Sequence, residues 1–249
     1  MQANRVRAFP LKDWEVRALN ADKKAEKRVL IKPQPEFRKG ETGIPERMDD
    51  GSWQFRVQPY NHIWDYPAYP QYQEGDLLYV QEAWGTCDGD HFLYRADYPD
   101  GATSCDFDGN GRDLPRWKVS TQMPREAART FLRVVDVRLE KLQDISDDGC
   151  AAEGILVWTK DGKLLKYYPA DSEGDYPACV WQECPKTPKL AMQRVWDKPL
   201  KGRALALHGW DANPWVWVYV FEKVSRDALK TMYGIQEPGF WRRRSYGAQ

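Results

Sequence analysis

The segment Trp215-Val216-Trp217-Val218-Tyr219-Val220-Phe221 constrains the fold more than any other stretch of the chain. In a strand successive side chains point to opposite faces, so the aromatics share one face and the valines the other. Neither face is polar, and a strand of that kind has to be covered on both sides. A sheet packed on two faces is therefore expected at the centre. The composition supplies the material: among 249 residues are 12 Trp and 13 Tyr, and each buried aromatic removes roughly 150–250 Å² from water.

Weaker signals flank this strand. Residues 12–27 are rich in helix formers, carry apolar Trp14, Val16 and Leu19, and run directly into a strand at Arg28-Val29-Leu30-Ile31 that Lys32-Pro33-Gln34-Pro35 stops. Residues 36–74 show no clear period. Gly75-Asp76 turns the chain into a strand at Leu77-Leu78-Tyr79-Val80, with further strands at Phe92–Arg95 and Thr130–Val137. Ser146 followed by Asp147 and Asp148 predicts an N-capped short helix reaching about Gly154. Short strands at uneven spacing with two or three short helices predict a mixed α+β, mainly β fold, a small β-barrel with flanking helices. Residues 1–224 read as one domain with an insertion at about 156–212, and residues 225–249, containing Trp241-Arg242-Arg243-Arg244, as a basic tail.

The 37 Lys+Arg balance 37 Asp+Glu, which excludes a uniformly basic nucleic-acid coat and a polybasic membrane anchor. The charge is unevenly spread: +5 over residues 1–48, −9 over 49–222 and +4 over 223–249. With no run of 18 apolar residues and no apolar stretch near Met1, the expectation is a soluble cytoplasmic protein with no membrane partner. Five cysteines (Cys87, Cys105, Cys150, Cys179 and Cys184) without a CxxC spacing read as free thiols.

Candidate chemistry concentrates in Ala21-Asp22-Lys23-Lys24-Ala25-Glu26-Lys27-Arg28, at the junction of the first helix and strand. Arg28 offers a planar fork of donors, Lys23 a mobile cation and Glu26 an acceptor, a set suited to a phosphate or a base edge. The competing reading is an ion-paired helix end in solvent. Tyr94-Arg95 and Arg116-Trp117-Lys118 interleave flat and cationic side chains, as in the stacking and phosphate contacts of single-strand binders, although Tyr94 and Trp117 can equally belong to the core. Asp106-Phe107-Asp108-Gly109-Asn110-Gly111 begins like a calcium loop but has Trp117 where a bidentate Glu is required. Cys179, Cys184 and His208 give only three zinc donors at unsuitable spacing. No metal and no cofactor is expected.

The Lys23/Glu26/Arg28 pattern resembles the Gly-x-Lys-x-x-Glu-x-Arg signature of the ASCH (activating-signal-cointegrator homology) domain, with Ala21 in the Gly position. The resemblance extends in family order over roughly residues 14–222 and is closest to bacteriophage-encoded members. Its blocks are Ile31–Pro35, Gly75–Trp84, Tyr94–Asp97, Arg116–Lys118, Met123–Arg125, Val137–Ser146, Ala152–Gly154 and Asn213–Val218. It implies a PUA-like β-barrel with a cleft for RNA, DNA or a nucleoside, and a host cytoplasm as its setting. Some small bacterial relatives deacetylate N4-acetylcytidine with a Lys, a Thr and a Glu; the Lys falls on Lys23 and the Glu on Glu153, while Glu26 stands in the Thr position. A carboxylate can activate water but cannot form the same acyl intermediate.

The leading expectation is thus an RNA- or DNA-binding module, or one that accepts an extruded or modified base, contacting its ligand through Lys23, Arg28, Lys32, Tyr94, Arg95, Trp117 and Arg125. The alternative is a hydrolase of an N-acylated pyrimidine nucleoside or of RNA, with Lys23, Glu26 and Glu153 as catalytic residues. A third reading has a host protein docking on the 156–212 insertion, taken as acidic because it lies in the acidic middle of the chain.

Overall fold

A computed structural model describes residues 6–60, 62–63, 67–87, 91–98, 102, 107, 109, 111, 113–170 and 180–233. In chain order the first half holds β1 (Val6–Pro10), α1 (Asp13–Asn20), β2 (Glu26–Leu30), β3 (Thr42–Arg47), β4 (Trp53–Gln58), β5 (His62–Ile63), β6 (Leu77–Gln81), β7 (Trp84–Cys87) and β8 (His91–Tyr94). The second half holds β9 (Phe131–Lys141), α2 (Asp147–Ala152), β10 (Ile155–Thr159), β11 (Leu165–Pro169), α3 (Pro188–Asp197), α4 (Arg203–His208), β12 (Trp215–Lys223) and α5 (Arg226–Tyr233). The fold is mixed α+β with strands predominating.

The aromatic-valine strand, β12, is interior as its composition requires. It pairs antiparallel with β9 on one side and β2 on the other, in a five-stranded sheet of order β1-β6-β9-β12-β2. Trp215, Trp217, Tyr219 and Phe221 enter one core with Phe9, Phe55 and Tyr72. Edge-to-face pairs fix that packing: Phe55–Trp215 at 4.8 Å, Tyr72–Tyr219 at 5.1 Å and Phe9–Phe221 at 5.5 Å between ring centroids. Each such pair contributes about 0.5–1.5 kcal/mol beyond the area it buries. The two tyrosine hydroxyls are satisfied, since Tyr72 donates to the Ala8 carbonyl at 2.7 Å and Tyr219 Oη accepts from the Gln71 N–H at 3.0 Å. Val216 and Val218, on the opposite face, pack with Leu142, Ile145, Ile155 and Met192.

The layers over the two faces come from different parts of the chain. The aromatic side is closed by α1 and by the small sheet β3-β4-β5, whose Phe55 is fully buried. The valine side is covered by α2, β10, β11 and α3. Ser146 caps α2 by accepting from the Gly149 N–H at 3.0 Å, and Thr187 caps α3 ahead of Pro188 at its first position.

The expected closed barrel is not formed. Among the described residues β1 pairs only with β6 and β2 only with β12, so the central sheet stays open with those strands as its edges. Residues 36–74 contain β3, β4 and β5, and the insertion contains a β10–β11 hairpin and two helices. The segment after residue 225 begins as α5, with Leu229 buried against Leu77, Trp84 and Met123; Arg242, Arg243 and Arg244 lie outside the described residues. Cys184 is disulfide-bonded rather than a free thiol, which also removes it as a zinc thiolate, whereas Cys150 is free and buried. Asp106, Asp108 and Asn110 of the Asp106–Gly111 loop lie outside the described residues. Among those described, no helix is long and apolar enough to cross a membrane, and no group of three metal-ligating side chains assembles.

Candidate functional site

On the valine face the charged residues of β2 and β9 occupy matching rows on either side of β12. Glu26 and Asp136 flank Val220, Arg28 and Arg138 flank Val218, and Leu30 and Glu140 flank Val216. Strands two apart are separated by roughly 10 Å, a gap that a long arginine side chain spans by lying over the intervening valine. Arg28 reaches across to Glu140 Oε1 (2.9 Å from Nε, 2.6 Å from Nη2), and Arg138 reaches back to Glu26 Oε1 at 2.9 Å. Arg28 Nη1 also donates to Glu26 at 3.1 Å and to Glu153 at 3.3 Å.

The turn after α1 brings in the lysine. Asp22 takes a left-handed conformation (φ 57°), and the Ala25 N–H donates to the Ala152 carbonyl at 2.8 Å, which fixes this turn against the end of α2. Lys23 is left exposed and Lys24 is turned inward. The ammonium that meets Glu153 is therefore that of Lys24, one residue beyond the expected Lys23. Lys24 Nζ donates to Glu153 Oε2 at 2.7 Å and to the Glu153 carbonyl at 2.9 Å, and lies 3.5 Å from Glu15. Glu153 Oε1 accepts from the Arg28 backbone N–H. The side chains of Lys24, Arg28 and Glu153 are 0%, 2% and 3% exposed, so this is a closed network and not a solvated helix end.

Burial on this scale is tolerated only because each charge is paired. Desolvation alone would raise the pKa of Glu15, yet Lys27, Lys24 and the Lys12 N–H together lower it to about 2. Desolvation lowers the pKa of Lys27, against the pull of Glu15, which its Nζ meets at 3.1 Å. Arg28 is also penalised by burial, but Glu153, Glu140 and Glu26 more than offset that and hold it charged. Burial pushes the neighbouring Cys150 thiol up to about 12, so it is not a nucleophile near neutrality.

The other expected contact residues belong to separate environments. Tyr94 donates to the Ala127 carbonyl at 2.7 Å and carries the Arg129 guanidinium 4.0 Å above its ring. Arg129 is itself held in two bidentate pairs, by the fully buried Glu82 and by Asp97. Arg95 lies 3.7 Å from Asp13 in the first turn of α1. Trp117 donates to the Ala102 carbonyl at 3.1 Å and leans on Tyr98. Tyr94 and Trp117 are thus packed and hydrogen-bonded, while Lys32 is exposed on a loop and Arg125 is exposed at the start of a 3-10 turn, Arg125–Ala127.

A feature that the sequence reading missed shares Trp14 with this network. A cavity of about 470 Å³ opens between the start of α1, the end of β11 and α3. Trp14, Tyr168, Pro169, Pro185, Ala191, Val195 and Pro199 form its walls, and Lys12, Arg194 and Lys198 supply its charge. Among the described residues, no carboxylate lines it. Arg194 and Lys198 are one helical turn apart and so share a face of α3. Both come from the insertion, which was expected to be acidic but holds nine Lys/Arg against seven Asp/Glu over residues 156–212.

Trp14 and Gly154 join the two regions. Lys24 Nζ sits 5.5 Å from the centre of the Trp14 ring, and Trp14 also lines the cavity. Gly154, directly after Glu153, has φ +100° and lies so close to α1 that a Cβ there would be 2.8 Å from the Ala18 Cβ and 3.4 Å from the Trp14 ring. The Gly154 carbonyl also accepts from the Ala170 N–H just beyond β11. The buried ions therefore set where the cavity wall stands. Compared with protein-family models, with curated proteins and with solved structures, the chain matches none.

Proposed function

We propose that the chain is a nucleic-acid-binding module of the ASCH, PUA-like kind, which receives RNA or an extruded base in the cavity beside Trp14. The observation that carries this reading is the cavity's composition among the described residues: flat aromatic and proline walls with three cations and no carboxylate. Flat apolar walls accept a base by stacking, and unpaired cations at the rim meet phosphate. The ASCH part rests on blocks distant in sequence that converge in space, where Lys24 and Arg28 of the signature region meet Glu140 and Glu153. In this reading the ion network is the scaffold of the site. Hydrolysis by a Lys–Glu pair is the weaker alternative, because both Glu153 oxygens are already engaged and its side chain is 3% exposed, leaving no open position for an activated water.

The test is fluorescence anisotropy with labelled RNA and DNA oligonucleotides over a range of salt. Three cations facing a single strand give a log–log salt slope of about −2, and Arg194→Ala with Lys198→Ala reduces it towards −1. Absence of binding at low salt, or a slope near zero, overturns the reading. Incubation with N4-acetylcytidine is expected to give no product; turnover abolished by Lys24→Ala would reinstate the hydrolase.

A further inference from the structure

The cavity's charge and size bear on which part of a nucleic acid it takes. Its volume of about 470 Å³ lies towards the lower end of the range for small-molecule sites, roughly 300–1,000 Å³. That is room for one nucleotide unit and not for a continuous run of them. An internal phosphodiester brings a single negative charge, whereas a terminal phosphate monoester carries about −1.5 to −2 near pH 7. Lys12, Arg194 and Lys198 present three positive charges around one opening with no carboxylate among the described lining residues, which a lone diester would leave poorly matched.

Three described acids of α1 and α3 near the rim are engaged elsewhere, Asp197 accepting from the Trp210 N–H at 2.8 Å. Glu15 is occupied by Lys24, Lys27 and the Lys12 backbone N–H, and Asp13 faces Arg95. Arg194 donates from Nη1 to the Glu183 carbonyl at 2.7 Å, an anchor that fixes the guanidinium without cancelling its charge. We propose that the cavity is a site for a single nucleotide bearing a terminal phosphate monoester, with the base against Trp14 and the prolines and the phosphate on Arg194, Lys198 and Lys12. This rests on the nucleic-acid-binding reading above and narrows it to a strand end or a free nucleoside monophosphate.

Isothermal titration of the full chain separates the cases. The probes are the four common nucleoside 5′-monophosphates, the matching nucleosides, inorganic phosphate, and one short RNA carrying in turn a 5′-phosphate, a 3′-phosphate or hydroxyl ends. The monophosphates should bind at least about tenfold tighter than the nucleosides, and a phosphorylated RNA end about tenfold tighter than the hydroxyl form. Equal affinity of the free monophosphate and the phosphorylated RNA assigns the site to the free nucleotide; a tighter RNA assigns it to the strand end. Arg194→Ala and Lys198→Ala, both at exposed positions, should erase the phosphate preference while leaving the thermal transition in place. If hydroxyl-ended RNA binds as well as phosphorylated RNA, this inference fails and the binding reading stands. If inorganic phosphate competes as well as the nucleotides, the base contributes nothing and the inference fails. If neither nucleotide nor RNA binds, both fall.

Discussion

Two charged regions meet at Trp14, and they handle charge in opposite ways. In the buried network, Lys24, Lys27, Arg28 and Arg138 are matched by Glu15, Glu26, Asp136, Glu140 and Glu153, and the innermost side chains see almost no solvent. In the cavity, Lys12, Arg194 and Lys198 stand at an opening lined by no acid among the described residues. The residue types are the same. Compensation separates structure from binding: a paired and buried ion is committed to the fold, whereas an exposed cation over an apolar wall still has interaction to offer a ligand.

The sharpest way to break this comparison is to remove one member of the buried pair. Glu153→Ala leaves Lys24 and Arg28 without a carboxylate they both contact and should destabilise the protein by about 3–5 kcal/mol in urea unfolding. Lys24→Ala should be of the same order, whereas Lys23→Ala, at an exposed position, should stay within about 0.5 kcal/mol. If Lys23→Ala were the more damaging of the two, the turn at Asp22 would have to be set differently.

The network should also show itself in pH. Glu15 is lowered from 4.5 to about 2 in the folded protein, so the unfolded chain takes up a proton first as acid is added. Its contribution is complete above about pH 4.5 and is lost as pH falls towards 2, amounting to about 3 kcal/mol. Urea midpoints between pH 6 and 2.5 should fall more steeply for the native chain than for Glu15→Gln. Parallel profiles would mean that Glu15 is not held charged by Lys27 and Lys24.

Gly154→Ala tests the joint between the regions. It combines a strained left-handed backbone with a 2.8 Å approach to Ala18, and should cost about 1–3 kcal/mol. Because the Trp14 ring is also adjacent, ligand affinity should fall with it. Loss of stability without loss of affinity would separate the cavity wall from the scaffold.

What the sequence made legible follows from how local each signal is. The both-sides-buried character of Trp215–Phe221 needs only period-2 alternation, and Ser146-Asp147-Asp148 specifies a helix start within one turn. Thr187-Pro188 carries the same kind of start signal for α3 and could have been used. Whether the sheet closes was not legible, since closure depends on whether β1 and β2 find partners and not on strand lengths. The signature region pointed to the right turn, but Lys23 and Lys24 are adjacent and identical in type, and only the left-handed Asp22 decides which faces inward. The cavity was hidden for a different reason. Its three cations come from positions 12, 194 and 198, and nothing short of the packing of α3 against the start of α1 brings them together.

The smallest expected effect on stability belongs to the cavity rim, and it bears most directly on the comparison. Arg194 and Lys198 are exposed and Lys198 forms no ion pair among the described residues. Arg194→Ala and Lys198→Ala should therefore each shift unfolding by no more than about 0.5 kcal/mol, with the loss of the Arg194 bond to the Glu183 carbonyl at the upper end. The same substitutions should lower oligonucleotide affinity about tenfold each at low salt, because each removes a charge-assisted contact. A rim that proved as important to stability as Glu153, or that left binding unchanged when removed, would erase the distinction between committed and available charge. Measuring unfolding and binding on one set of four variants (Lys24→Ala, Glu153→Ala, Arg194→Ala and Lys198→Ala) places each residue on one side or the other: the first two move the unfolding midpoint, and the last two move the salt dependence of binding alone.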